Sequence, residues 1–209
     1  MIAAAHFLAL LSPGPDFFLV ARTSLSTGWR VASGTCLGIA LANGVFIVAA
    51  FAGTTTMQTE SGTFVALQLA GCAYLLYLGT VFVRHAGTNA LEITPDQGYG
   101  LPRQASPVTA WWRAAGMGFL SGILNPKNAL FYASLAAMLT GPHASMGWKV
   151  IYGTWMFSAV LLWDFFVAVM IGNQTVLDRF AKTLPWLERI SGVVLVLFAL
   201  GVIGILLTR

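Results

Sequence analysis

The chain has 209 residues, 57% of them hydrophobic and only 9% charged, with a formal net charge of +4 and a mean hydropathy of +0.79. Soluble domains carry roughly 25% charged residues, so this chain is not built to be solvated on all sides, and its positive charges are too few and too scattered for a nucleic-acid face. Long apolar runs without period-two alternation exclude an outer-membrane barrel, which leaves an all-α polytopic membrane protein of a single domain, residues 1–209.

Crossing a bilayer takes roughly 17–25 apolar residues, and six stretches qualify: 1–21, 31–53, 63–83, 114–139, 147–172 and 188–207. The first has no basic leader and no small-x-small cleavage site, so it is read as a span and not as a signal peptide. Inside it, "LLSPGPDFFL" places Ser12, Pro13, Gly14, Pro15 and Asp16 within the apolar run. Proline removes a backbone donor and clashes with the preceding turn, so the helix breaks there. Ser12 or Gly14 then caps a second half-helix that has Pro15 in its first turn.

The second span carries Gly34 and Gly38 at helix-packing spacing, with Cys36 and the mid-depth polar Asn43, a candidate for lining a cavity. The third carries Cys72. The two cysteines form no CxxC pair and no metal-ligand spacing. They read as buried, inert thiols, and no metal or other cofactor is called for. Residues 84–113 are polar and rich in Gly, Pro and Thr, and read as a cytoplasmic linker between two three-helix repeats, 1–83 and 114–209. In the fourth span, "FLSGILNPKNALFY" carries Asn125, Pro126 and Lys127, and Gly118 and Gly122 repeat the small-residue spacing. These glycine pairs serve packing within the bundle or between subunits of a homo-oligomer. The fifth span holds Asp164 in "LLWDFFVAV". His6, His85 and His143 read as interfacial, and Trp111, Trp112, Trp148, Trp155 and Trp186 include interface anchors.

Three spans, a linker and three more spans suggest a duplication whose halves are inverted, as in secondary transporters. Laying "FLALLSPGPDFFL" on "FLSGILNPKNALFY" brings Leu11 to Leu124, Ser12 to Asn125, Pro13 to Pro126 and Phe18 to Phe131. Both breaks free backbone groups that lipid cannot satisfy, so both should face a protein-lined or wet cavity. Asp16, Lys127 and Asp164 each cost at least about 2.5–3.5 kcal/mol at membrane depth, so they should face each other or water. The helix dipole favours Asp16 and opposes Lys127 at a half-helix start. The expectation is that Asp16 approaches Lys127 near the midplane, leaving Asp164 to exchange a proton or hold an amine.

Arg22, Arg30, Arg84, Arg103, Arg113, Arg179, Lys182 and Arg189 fall on one side, against Lys149 and Arg209 on the other. The positive-inside rule puts the first group in the cytoplasm and both termini outside. Nothing points to an enzyme. The favoured reading is alternating access around a midplane site. The alternatives are a membrane thiol–disulfide electron carrier, which needs Cys36 and Cys72 together, and a passive channel.

"LLSPGPDFFLVAR" followed by Gly34, Gly38 and Asn43, "GCAYLLYLGTVFVR", "GFLSGILNPKNALFYASL" and "LERISGVVLVLFALGVI" resemble the LysE/RhtB family of amino-acid exporters nearly end to end. The resemblance implies a bacterial inner-membrane protein that expels amino acids such as threonine, homoserine, lysine, arginine or leucine, driven by the proton gradient. By motif it implies a functional core of Pro13, Gly14, Pro15, Asp16, Asn125, Pro126 and Lys127, with Asp164 a looser match. A zwitterion needs an acceptor for its ammonium, which Asp16 or Asp164 supplies, and a donor for its carboxylate, which Lys127 supplies. Broken-helix amides can share that carboxylate. No further charged group stands ready for a charged side chain, which favours neutral substrates.

Overall fold

A computed structural model describes residues 2–11, 14–55, 61–87, 106–138, 145–171 and 174–208. Among these the chain is all helix: α1 (Ile2–Leu10), α2 (Pro15–Thr27), α3 (Trp29–Thr55), α4 (Gly62–Arg84), α5 (Pro107–Ile123), α6 (Pro126–Ala137), α7 (Met146–Ile171) and α8 (Gln174–Leu207). The starts follow from capping chemistry. Ser61 Oγ accepts from Phe64 N ahead of α4, and Ser106 Oγ accepts from Thr109 N ahead of α5, with Pro107 where a missing N–H does no harm.

Four helices are long and apolar enough to cross a membrane: Trp29–Thr54, Gly62–Arg84, Met146–Ile171 and Lys182–Leu207. The pair α1 and α2, bent by 51°, makes a fifth candidate. The broken pair α5 and α6 does not meet the same measure, because Ser, Asn and Lys interrupt its apolar run; six spans are therefore not what length and hydropathy alone deliver. Two boundaries also move. The linker expected over 84–113 ends sooner, since Ser106 and Pro107 start α5 and put Trp111, Trp112 and Arg113 on a helix. The helix expected from 188 begins at Gln174 and carries Pro185 in its interior. Ser12, Pro13, Arg103, His143 and Arg209 lie outside the described residues.

Packing is closest where side chains are absent. On α3, a Cβ at Gly34 would sit 2.5 Å from the Trp111 carbonyl oxygen, and one at Gly38 would overlap that of Ala115. On α5, Gly118 meets the Thr35 backbone and Gly122 meets Ala42. The four glycines therefore pack α3 on α5 within the bundle. Helices α4 and α8 run antiparallel and cross at Gly79 and Gly192, each of which would set a Cβ 2.6–2.7 Å from the other's carbonyl oxygen. Over residues 62–80 and 182–200 the alternation of buried, half-buried and exposed positions is identical at every place. Gln68 thus corresponds to Glu188 and Leu75 to Leu195.

The core divides by depth. One cluster joins α1, the end of α3, α4, α6, the start of α7 and α8. The other joins α2, the start of α3 and the end of α7. Helix α4 packs on α6 and α8, and α8 on α4, α1 and α7, whereas neither packs substantially on α2 or α5. Helices α4 and α8 therefore meet the rest of the bundle through α1, α6 and α7 and not through α2 or α5.

Candidate functional site

Two helices begin at the centre of the bundle. Gly14 caps α2, with Pro15 next and Asp16 after it; Asn125 caps α6, with Pro126 next and Lys127 after it. The matching register is therefore Gly14 to Asn125, Pro15 to Pro126 and Asp16 to Lys127, two residues away from the alignment expected from sequence. Proline fixes the first turn in both cases, so the third residue of each motif lands at the same place on its half-helix. One motif carries an anion there and the other a cation.

Asp16 is held from three sides. Ser121 Oγ donates to its Oδ1 at 2.8 Å, and Asn128 Nδ2 and Asn125 Nδ2 donate to its Oδ2 at 2.9 and 3.3 Å. The positive end of α2 adds to this. Asn125 also turns its Oδ1 to the Lys127 amide at 3.1 Å, so one side chain caps α6 and ties it to Asp16. Ser121, Asn125 and Asn128 all come from the second half of the chain, and Asp16 from the first.

Lys127 lies opposite. Its Nζ stands 5.0 Å from the centre of the Phe82 ring, a cation–π distance, and 3.5 Å from where a side chain on Gly14 would begin. A methyl at position 14 would be in ordinary van der Waals contact with the ammonium. Tyr74 Oη donates to the Lys127 carbonyl at 3.3 Å, linking α4 to the same turn. Asp16 and Lys127 share one cavity, but the described residues contain no ion pair between them; the amide and hydroxyl donors around Asp16 take the place expected for the lysine.

That cavity is about 60 Å³ and is lined by Gly14, Asp16, Asn43, Asn125, Lys127 and Asp164, joined by Asn128, Tyr132 and Trp163. At roughly 30 Å³ per water it has room for about two waters. Asn43 spends its amide on the Ile39 carbonyl of its own helix at 2.8 Å. Asp164 differs from Asp16: it is 7% exposed, and its Oδ2 has no hydrogen-bond partner among the described residues. A buried carboxylate oxygen without a partner, on a residue that lines the cavity, can accept a proton or an ammonium group once the site opens, whereas Asp16 is already occupied.

Several residues at or beside this cavity escaped the sequence reading. Ser121 and Asn128 carry no signal beyond lying five residues before and two residues after Pro126. His6, expected at the interface, is fully buried, with Nε2 3.1 Å from Tyr132 Oη. Lys149, counted only as a charge on the side away from the cytoplasmic group, is 6% exposed and donates to the Phe51 carbonyl and Thr54 Oγ1 at 3.2 and 3.3 Å, covering the end of α3. Cys36 and Cys72 are free and belong to separate core clusters, so the dithiol reading finds no site.

Comparison with known proteins gives a consistent picture. The family model described as LysE type translocator matches residues 7–204. The threonine efflux protein of Escherichia coli K12 is 23% identical over 205 residues, covering 97% of this chain and 95% of that protein. That of Salmonella typhi is 24% identical over 212 residues with the same coverage. The uncharacterized membrane protein YahN of Escherichia coli K12 is 23% identical over 198 residues, covering 94% of this chain and 84% of the relative. No solved structure matches.

Proposed function

Because the chain belongs to the LysE type translocators, a family of multi-pass membrane transporters, we propose that it exports small neutral amino acids of the threonine or homoserine kind from the cytoplasm in exchange for protons. The observation that carries this reading is the central cavity. Two half-helix starts meet there, and a lysine and a carboxylate with one unpartnered oxygen line the same small cavity. Asp164 accepts the substrate ammonium, and Lys127 receives the substrate carboxylate with help from the amides at the start of α6. Asp16 acts as the post on which the second break is built.

Two inverted three-helix repeats, each with a broken first helix, support alternating access around this site. The shared burial pattern of α4 and α8 and the matched starts of α2 and α6 support the repeat. An amino acid is larger than the two waters the cavity can hold, so loading requires α4 and α8 to part from the other helices. They are least engaged at the end that holds α2 and α5. That end carries Arg22, Arg30, Arg84 and Arg113 and is assigned to the inner-membrane cytoplasmic face, with both termini outside. The site needs no resident cofactor.

The test is efflux of labelled threonine, homoserine and leucine from loaded vesicles with and without an imposed proton gradient. Export should rise with the gradient and should be lost in Asp164→Asn and Lys127→Met. Gradient-independent equilibration that both variants retain would instead indicate a passive channel that does not use this site.

A further inference from the structure

His6 is an ionisable side chain in a place where a packing residue would serve better. It is 0% exposed, on the first half-helix, and three aromatic rings surround it: Phe131 and Tyr132 of α6 and Trp155 of α7, with centroids 6.1, 5.7 and 5.8 Å away. Its Nε2 is 3.1 Å from Tyr132 Oη, whereas its Nδ1 is buried and has no partner among the described residues. Buried polar atoms are nearly always hydrogen-bonded, so such an orphan asks for a reason. Tyr132, 3% exposed, stands between His6 and the central cavity, which it lines together with Asp164.

We propose that His6 and Tyr132 are a proton relay that connects the α1 end of the bundle to Asp164, and so supply the coupling step of the exporter reading on which this inference rests. Neutral imidazole has one donor and one acceptor nitrogen, which lets it pass a proton without keeping a charge. In the state that opens the α1 end to water, a proton bonds to Nδ1, which this structure keeps sealed. The Nε2–H bond breaks as an O–H bond forms at Tyr132, and the original tyrosine proton crosses the cavity, by one water where needed, to the open oxygen of Asp164. His6 and Tyr132 end neutral, Asp164 ends protonated, and His6 resets by exchanging tautomers through water.

The surroundings suit this path. Of the elements packed on α1, or bonded to it through His6, α7 contributes the titratable groups Lys149, Tyr152 and Asp164, and α6 contributes Lys127 and Tyr132; α8 contributes none between Gly192 and Thr208. Lys149 is engaged at the end of α3. Asp164 is therefore the carboxylate the relay can serve, because the Asp16 oxygens already accept three hydrogen bonds. The relay also lies at the α1 end, opposite the end assigned to substrate entry, which is where an antiporter must admit its proton.

The test uses the purified full-length protein and follows the infrared carboxyl band after a rapid drop in pH, with the band assigned to Asp164 by its loss in Asp164→Asn. In His6→Gln and in Tyr132→Phe the band should reach the wild-type amplitude but form about tenfold or more slowly. Wild-type amplitude also certifies that each variant is folded. Formation at the wild-type rate in both variants, or a wild-type band that does not depend on Asp164, overturns the relay. In proteoliposomes, the ratio of gradient-driven efflux to counterflow of threonine should fall by the same factor in His6→Gln. A wild-type protein that shows no counterflow would end the exporter reading, while the infrared rates would still decide whether the relay exists.

Discussion

Replacing Asp16 by alanine separates the role of an anchor from that of a ligand. The carboxylate accepts three hydrogen bonds, from Ser121, Asn125 and Asn128, and bonds to a charged acceptor contribute about 1.5–3 kcal/mol each. Two effects offset this loss. Removing a half-buried charge relieves some desolvation, and Asn128 keeps a second acceptor, the Gly122 carbonyl at 3.4 Å. The stranded Ser121 hydroxyl and Asn125 amide still dominate, so the net destabilisation should be about 1–3 kcal/mol. For a chain of this size that lowers the melting temperature by roughly 2–12 °C. Asp164→Asn should do the opposite: its Oδ2 has no partner to lose, so the melting temperature should stay level or rise while transport is lost. Thermal unfolding of purified protein followed by tryptophan fluorescence reads both. Equal losses in the two variants, or an unchanged Asp16→Ala, would refute the division of labour between the carboxylates.

Other expectations follow from packing and chemistry. Gly38→Ala sets a methyl against the Ala115 carbonyl and within 2.6 Å of Phe119 N; forcing α3 from α5 should cost about 1–3 kcal/mol, whereas Gly116→Ala, with nothing within 4 Å, should be neutral or stabilising in the same thermal assay. Lys149→Met removes the cation that covers the last carbonyls of α3; a loss of about 1–2 kcal/mol is expected, with transport per folded molecule retained. Replacing Cys36 and Cys72 by alanine together should leave efflux within about twofold of wild type, because no dithiol chemistry is involved. Loss of activity on that double change, with folding intact, would revive the electron-carrier reading.

The sequence made the breaks and their charges legible because proline, glycine and ionised groups are expensive inside a membrane helix, so each stands out against an apolar background. Asp16, Asn125, Lys127, Asp164 and Asn43 all line one cavity for that reason. The register of the two motifs was not legible. Two prolines lie in the first break, and only the backbone shows that Pro15, not Pro13, starts α2 as Pro126 starts α6. Ser121 and Asn128 stayed hidden because serine and asparagine are ordinary in helices, and nothing local says that both turn toward Asp16. His6 was misplaced because, near the end of an apolar run, a polar residue looks interfacial until its neighbours are known. The start of α8 was missed because Pro185 reads as a breaker, although it lies within the helix.

The central claim is that the substrate occupies the cavity between the two helix starts, held by Asp164 and Lys127. Equilibrium binding of labelled threonine and homoserine to purified protein, wild type against Asp164→Asn and Lys127→Met, tests it most directly. Saturable binding that is lost in both variants, with their folds intact by thermal unfolding, is the expected result. Undiminished affinity in both variants would place the substrate elsewhere and contradict the account.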